Sequence, residues 1–265
     1  MLGKDWLHPG TIAILTYHSL DDSGCVLSTS PRIFAEQMRA LHELGVSVVP
    51  LRDVRRALDG AATSKNLVAI TFDDGFRSVY EHGLPILQRF GFAATVFLVT
   101  DYCGKTNSWP SQPLRVVRRP LLRWVEVREM SEAEITFGSH TRTHPDLRTV
   151  TTRDAEEEMV ASKKTIEDAT GRPVDALAYP YGAFNDSVKR LAAAHFDLAC
   201  CAALGFAGPG GDLYALERLD MYYLQRLGWF RRLFSPETGA YIGFRRYLRD
   251  LRCSTEQWLG CRPGL

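Results

Sequence analysis

The sequence predicts an α/β fold, a single-domain (β/α) barrel of about seven parallel strands. Three observations point to it. Short apolar runs alternate with amphipathic stretches, which implies parallel strands joined by right-handed crossovers. About seven such units fall in one chain, with no internal repeat and no low-complexity linker. The 265 residues are enough for one large, well-buried core.

The predicted strands are Thr11–Thr16, Val46–Val49, Leu67–Phe72, Ala93–Thr100, Ile135–Gly138, Ala176–Tyr179 and Leu198–Ala202. Predicted helices lie between them at 31–44, 51–59, 76–90, 152–169 and 185–195. The first helix is well punctuated. Ser30 can cap it, Pro31 suits its first turn and Gly45 its exit. Ile33, Phe34, Met38, Leu41 and Leu44 recur at helical spacing. The helix at 152–169 opens with Thr152 and the acidic turn Asp154-Ala155-Glu156, and Gly171 and Pro173 close it.

Two stretches break the alternation. Residues 101–128 carry Lys105, Arg115, Arg118, Arg119, Arg123 and Arg128 against Asp101 and Glu126, and read as a basic insertion within a barrel region spanning 1–224. Residues 225–265 form a C-terminal extension mixing aromatics with Arg231, Arg232, Arg245, Arg246 and Arg249. Such a tail is either a helical layer packed on the barrel with a solvated basic face, or a peripheral anchor to anionic lipid or a charged glycan.

Composition narrows the function classes. A formal net charge of +1 gives no global field that would suit nucleic acid. No apolar run is long enough to span a bilayer. The N-terminus, interrupted by Asp5, His8, Pro9 and Gly10, carries no legible secretory signal, so a cytoplasmic location is expected, with the tail able to make peripheral contact at the inner face of the membrane. Cys25, Cys103, Cys200, Cys201, Cys253 and Cys261 form no CxxC pair and read as reduced thiols, with Cys200 and Cys201 as small buried residues.

Three motifs carry chemistry. In "AITFDDGF" an apolar strand ends in Asp73 and Asp74 before Gly75. Adjacent strand residues point to opposite sides, yet a strand-to-loop junction followed by glycine lets both carboxylates converge. The C-terminal strand ends are where parallel barrels place their active sites. In "FGSHTRTHPDL", His140 and His144 stand four apart, and on a helical turn both would face the same way. Two histidines plus one aspartate form a three-ligand site with open positions, the catalytic kind. In "LAYPYGAFND", Pro180 and Gly182 fix a loop that can aim a backbone N–H at a developing oxyanion. The first strand ends in "LTYHSL", where His18 is either a residue at the core's rim or a catalytic group at a strand tip.

Together "TFDDG", "SHTRTHP" and "YPYG" resemble the first three motifs of the polysaccharide deacetylases, the NodB-type homology domain of carbohydrate esterase family four. The resemblance covers roughly residues 11–220. It implies a distorted (β/α) barrel and metal-dependent removal of acetyl groups from sugars, most often N-acetylglucosamine units. Position by position, it implies that Asp73 is the general base and that Asp74, His140 and His144 bind one divalent metal. Zinc is favoured over cobalt, nickel, iron or manganese. It further implies that the Tyr181 N–H holds the oxyanion, and that Tyr17, Tyr179 and Pro180 border the substrate.

Two features depart from the common pattern. Ala178 stands where an arginine contacting the catalytic aspartate is usual, and Arg218, on a later strand, is the candidate substitute. No histidine follows His195, so the usual late general acid is missing, and His195 reads as a helix C-terminal residue. In motif order the chain is closest to the poly-N-acetylglucosamine deacetylase branch, whose early Tyr-His supplies the acid, and "LTYHSL" looks like that element. His18 is therefore the expected acid. The expected substrate is an N-acetylated sugar or glycan, as polymer, oligosaccharide or precursor. A related amidohydrolase acting on a formamide, ureide or imide, and a catalytically silent glycan-binding module, are the alternatives.

Overall fold

The structure, a computed structural model, describes residues 11–58, 66–112 and 116–258, with backbone only for 252–258. Residues 1–10, on which the signal reading rests, Arg115 and the end of the extension with Cys261 lie outside the described residues, as does the Cys253 side chain.

The strands are β1 (Ile12–Tyr17), β2 (Ser19–Leu20), β3 (Ser28–Thr29), β4 (Ser47–Val48), β5 (Leu67–Phe72), β6 (Ala94–Leu98), β7 (Ile135–Ser139), β8 (Ala176–Ala178), β9 (Leu198–Leu204) and β10 (Leu216–Asp220). The helices are α1 (Pro31–Glu43), α2 (Leu51–Leu58), α3 (Leu84–Phe90), α4 (Trp124–Glu132), α5 (Thr152–Thr170), α6 (Asp186–His195), α7 (Leu227–Phe230) and α8 (Pro236–Trp258).

Seven parallel strands close the barrel in the order β1-β5-β6-β7-β8-β9-β10, with β10 returning to β1. The count matches the expectation but the membership does not. The expected strand at 46–49 is the two-residue β4, which lies outside the ring. It pairs with the start of β5 at Leu67 and Val68, while β6 pairs with the end of β5 at Thr71 and Phe72. The seventh stave is β10, which carries Arg218. This uneven sharing of one edge of β5 distorts the ring.

Local signals act largely as read. The Ser30 side chain accepts from the Ile33 N–H and caps α1. As read, α5 opens at Thr152, and the Thr151 hydroxyl caps it by accepting from the Asp154 N–H. The expected helix at 76–90 is instead a π-type turn at Val79–Gly83 running into α3. The insertion is not wholly irregular, because α4 begins inside it at Trp124. Its arginines are also less available than composition suggests: Arg119 pairs with Asp21 at 2.8 Å, and Arg123 with Glu126 at 2.7 Å.

Strand alternation sorts the core. Ile12 and Ile14 of β1, Leu67 and Ala69 of β5, Phe97, Ala178, Leu198, Cys200 and Leu216 share the barrel interior, with Leu51, Val54 and Leu58 of α2 packed against them. The intervening Ala13, Leu15, Tyr17, Val68, Ile70 and Phe72 point outward into the layer between barrel and helices. Cys25, Cys103, Cys200 and Cys201 are free thiols, and Cys200 and Cys201 are buried as expected. Among the described residues, no helix is long and apolar enough to cross a membrane.

Candidate active site

The alternation that buries Ile12 and Ile14 carries Thr16 and then His18 inward. On β5 it carries Thr71 and then Asp73 inward, and on β10 it does the same for Arg218. The interior therefore turns polar toward the C-terminal rim. The Asp73 N–H still donates to the Tyr17 carbonyl at 2.9 Å, extending the β1–β5 ladder by one residue. Beyond it the backbone breaks. Asp74 (φ 68°) and Gly75 (φ 70°) are both left-handed. A Cβ at position 75 would lie 2.8 Å from the Leu98 side chain, so only glycine fits there. This kink brings two neighbouring carboxylates to one end of the barrel.

The two carboxylates then part in environment. Asp73, 4% exposed, receives both terminal nitrogens of Arg218 at 2.7 and 2.8 Å. The Arg218 Nε–H donates to the Cys201 carbonyl at 3.0 Å, which fixes the fork. Burial pushes the Asp73 carboxyl up, but the guanidinium more than reverses it and holds Asp73 far below the usual carboxylate range. Arg218 thus makes the contact to Asp73 that the sequence led one to expect of it.

Asp74 faces the histidines instead. Its Oδ1 lies 3.4 Å from His140 Nε2 and 3.5 Å from His144 Nε2, and the two imidazole nitrogens are 3.2 Å apart. Ligands about 2.0–2.2 Å from a tetrahedral ion stand roughly 3.3–3.6 Å from one another. The triangle already has that size, and all three residues are buried. The His140 Nδ1 lies 2.7 Å from the Ala178 carbonyl, which places the proton on Nδ1 and leaves the Nε2 lone pair free. Burial holds the His144 imidazole down at about 3, which favours the neutral form that can ligate. The donor set fits a divalent ion of the zinc type.

The histidines do not converge through a helical turn, as their spacing suggested. Residues 140–144 form a loop with Thr141 (φ 68°) and His144 (φ 60°) left-handed. The Ser139 hydroxyl accepts from the Thr141 N–H, and the Thr141 hydroxyl from the His144 N–H. The Glu158 carboxylate of α5 accepts from the N–H groups of Arg142 and Thr143, each at 2.8 Å, and from the Thr143 hydroxyl at 2.7 Å. Four of the five left-handed non-glycine residues described, Asp74, Thr141, His144 and Tyr181, belong to this site. Each costs about 1–3 kcal/mol, and such strain collects where function needs a fixed geometry.

The insertion supplies residues that the sequence reading missed. The Trp109 ring lies 4.5 Å from that of His144, and the Ser111 hydroxyl donates to the His144 carbonyl at 2.7 Å. The Tyr181 ring lies 4.6 Å from His144, and its hydroxyl donates to the Ser111 carbonyl. His144 Nδ1 has no hydrogen-bond partner among the described residues, so rings and main-chain bonds orient this ligand. The "SWPS" stretch within a basic segment was the available signal. At Tyr181 the turn hydrogen bonds run from Gly182 to Tyr179 and from Ala183 to Pro180, leaving the Tyr181 N–H outside both. A side chain at Gly182 would overlap Ala202.

The remaining expected residues divide. His18 is half-buried at the same rim. After burial and closer partners, it contributes to the shifts at Asp73, Asp74 and His144. Tyr17 and Tyr179 are corrections to the expected substrate contacts. Both have the outward strand phase and are 1% and 0% exposed. The Tyr17 hydroxyl donates to Gln37, and that of Tyr179 to the Tyr214 carbonyl. Pro180 is buried at the start of its turn. His195 ends α6 and meets Glu156 at 2.8 Å, as its helix-terminal reading implied.

The chain is similar in sequence and fold to known proteins. The family described as polysaccharide deacetylase matches residues 60–198. YxkH of Bacillus subtilis is 26% identical over 213 residues, 80% of this chain and 71% of that one. The poly-beta-1,6-N-acetyl-D-glucosamine N-deacetylase of Escherichia coli K12 is 29% identical over 152 residues. That stretch is 52% of this chain but 21% of the relative, so the chain spans about a fifth of that protein. The solved structure of Streptococcus pyogenes deacetylase PplD in complex with acetate superposes with a TM-score of 0.70 at 27% identity, covering 80% of this chain and 93% of that one. With the family match spanning just over half of the sequence and the barrel closed by the expected number of strands, the chain belongs to the polysaccharide deacetylase family.

Proposed function

We propose that the protein hydrolyses the N-acetyl amide of an amino sugar, taking N-acetylglucosamine units of a polysaccharide or oligosaccharide as substrate. The observation that carries the reading is the division of labour between adjacent carboxylates. Asp73 is locked to Arg218, and Asp74 is joined to His140 and His144 in a triangle of ion-binding size. The substrate class is supported by the name of the Escherichia coli relative and by the family.

Asp74, His140 and His144 would hold one divalent ion, zinc by preference of an O/N/N donor set. Such an ion would acidify the attacking water and polarise the acetyl carbonyl, which lets so weak a base as Asp73 accept the proton. Arg218 keeps Asp73 ionised and pins both its oxygens, fixing the direction of proton transfer. The Tyr181 N–H, outside the turn bonds, would donate to the oxyanion. An amide nitrogen leaves only when protonated, and His18 is the side chain at the rim suited to donate that proton.

The test is acetate release from acetylated chito-oligosaccharides by zinc-loaded protein, with chelated protein as control. Metal-dependent release is expected. Oligosaccharide binding without release would leave a glycan-binding module.

A further inference from the structure

The C-terminal layer has an exposed apolar face, with no partner among the described residues, that the deacetylase reading does not use. On α8, Phe244, Tyr247, Leu248 and Leu251 recur at helical spacing and are 41–60% exposed. The helix is anchored along the side opposite the stripe and along one flank. Ile242 is buried, Tyr241 stacks on Trp229 of α7 at 4.7 Å, and the Arg245 guanidinium lies 4.7 Å over the Tyr223 ring. The apolar stripe is therefore turned outward by a docked helix. Trp229 also lines a depression of about 340 Å³ with Arg226, Gly228 and Arg232. Tyr241 stands three residues before Phe244 and so flanks the stripe, and its stack on Trp229 brings the depression alongside. Between residues 226 and 251, six arginines stand against Glu237 and Asp250. Arg231 and Arg246 are paired with Glu43 and Glu217, Arg232 lies near enough to Glu237 to help lower its carboxyl, and Arg226 forms no ion pair among the described residues.

We propose that this face docks on an anionic lipid surface. The α8 stripe would enter the headgroup–acyl boundary, and Arg226 and Arg232 would meet lipid phosphates. The chemistry selects this occupant. The C–H face of a sugar could stack on Phe244 or Tyr247 but would leave the aliphatic Leu248 and Leu251 in water. A deacetylated amino sugar carries an ammonium, which the arginines would repel; that point alone rests on the deacetylase reading. A second copy docked face to face would oppose like charges. A phosphate-bearing bilayer satisfies stripe and arginines together, and would hold the enzyme at a membrane without a spanning helix.

Sedimentation of the full chain with vesicles tests this independently of activity. The protein should pellet with vesicles of phosphatidylcholine and phosphatidylglycerol, stay in solution with phosphatidylcholine alone, and be released by salt. Phe244→Ser/Leu248→Ser and Arg226→Gln/Arg232→Gln should each weaken binding about tenfold or more, while acetate release from soluble oligosaccharide stays at wild-type level. No preference for anionic vesicles, or wild-type binding by both double variants, would overturn the proposal. So would a dimer in solution that Phe244→Ser/Leu248→Ser dissociates while vesicles bind nothing, which would assign the face to a second copy.

Discussion

The lower and upper halves of the barrel interior are built from the same strands and follow different rules. Below, Ile12, Ile14, Leu67, Ala69 and Leu216 fill the interior with apolar bulk. Further along the same inward phase, Thr16, His18, Thr71, Asp73, Arg218 and His140 line the rim. The lower residues need only volume and a hydrophobic environment. The rim holds buried charge, which must be paired to persist, and left-handed backbone that costs stability. The lower barrel supports the rim, and the rim holds the chemistry.

This contrast can be broken at graded points, beginning with the largest effect. His18→Ala should keep metal and fold but lower deacetylation by about 10²–10⁴-fold; full activity in steady-state assays would return His18 to a packing role. Arg218→Met strands the buried Asp73 carboxylate and should cost roughly 3–5 kcal/mol in urea unfolding at neutral pH, whereas adding Asp73→Asn should recover most of that loss. The pH dependence has a definite sign. Asp73 is depressed in the folded state, so its contribution is complete above the unfolded carboxyl pKa of about 3.9 and is lost only as pH falls toward the lower folded value. Glu158→Ala removes the acceptor that clamps the loop between the histidines and should weaken zinc binding about 10–100-fold by calorimetry. Tyr17→Phe leaves Gln37 Oε1 unpaired and should cost about 1–3 kcal/mol of stability, with KM and kcat unchanged, because Tyr17 faces the core.

Much of this was legible in the sequence, and the misses have physical causes. Strand–helix alternation gives the barrel and its count, but a two-residue pairing such as β4 looks like a full strand when only the apolar run Val46–Val49 is read. Asp73, Asp74, His140 and His144 stand out because carboxylates and imidazoles follow apolar strands. Their convergence comes from left-handed residues at Asp74, Thr141 and His144, which no residue type other than Gly75 signals. That Tyr17 and Tyr179 border the substrate is what the family resemblance implies. Strand alternation argues otherwise, since the phase that turns His18 inward turns Tyr17 outward. Trp109, Ser111 and Glu158 reach the histidines from distant segments, a relation set by tertiary packing alone.

The central claim is that Asp73 acts on the proton while Asp74 and the histidines hold the ion. Zinc-loaded Asp73→Asn tests it most directly, with metal content and acetate release measured on the same sample. The account predicts one bound zinc, which also reports an intact ligand triangle, and acetate release reduced by about 10²-fold or more. Turnover within a few-fold of wild type at full metal occupancy would contradict it.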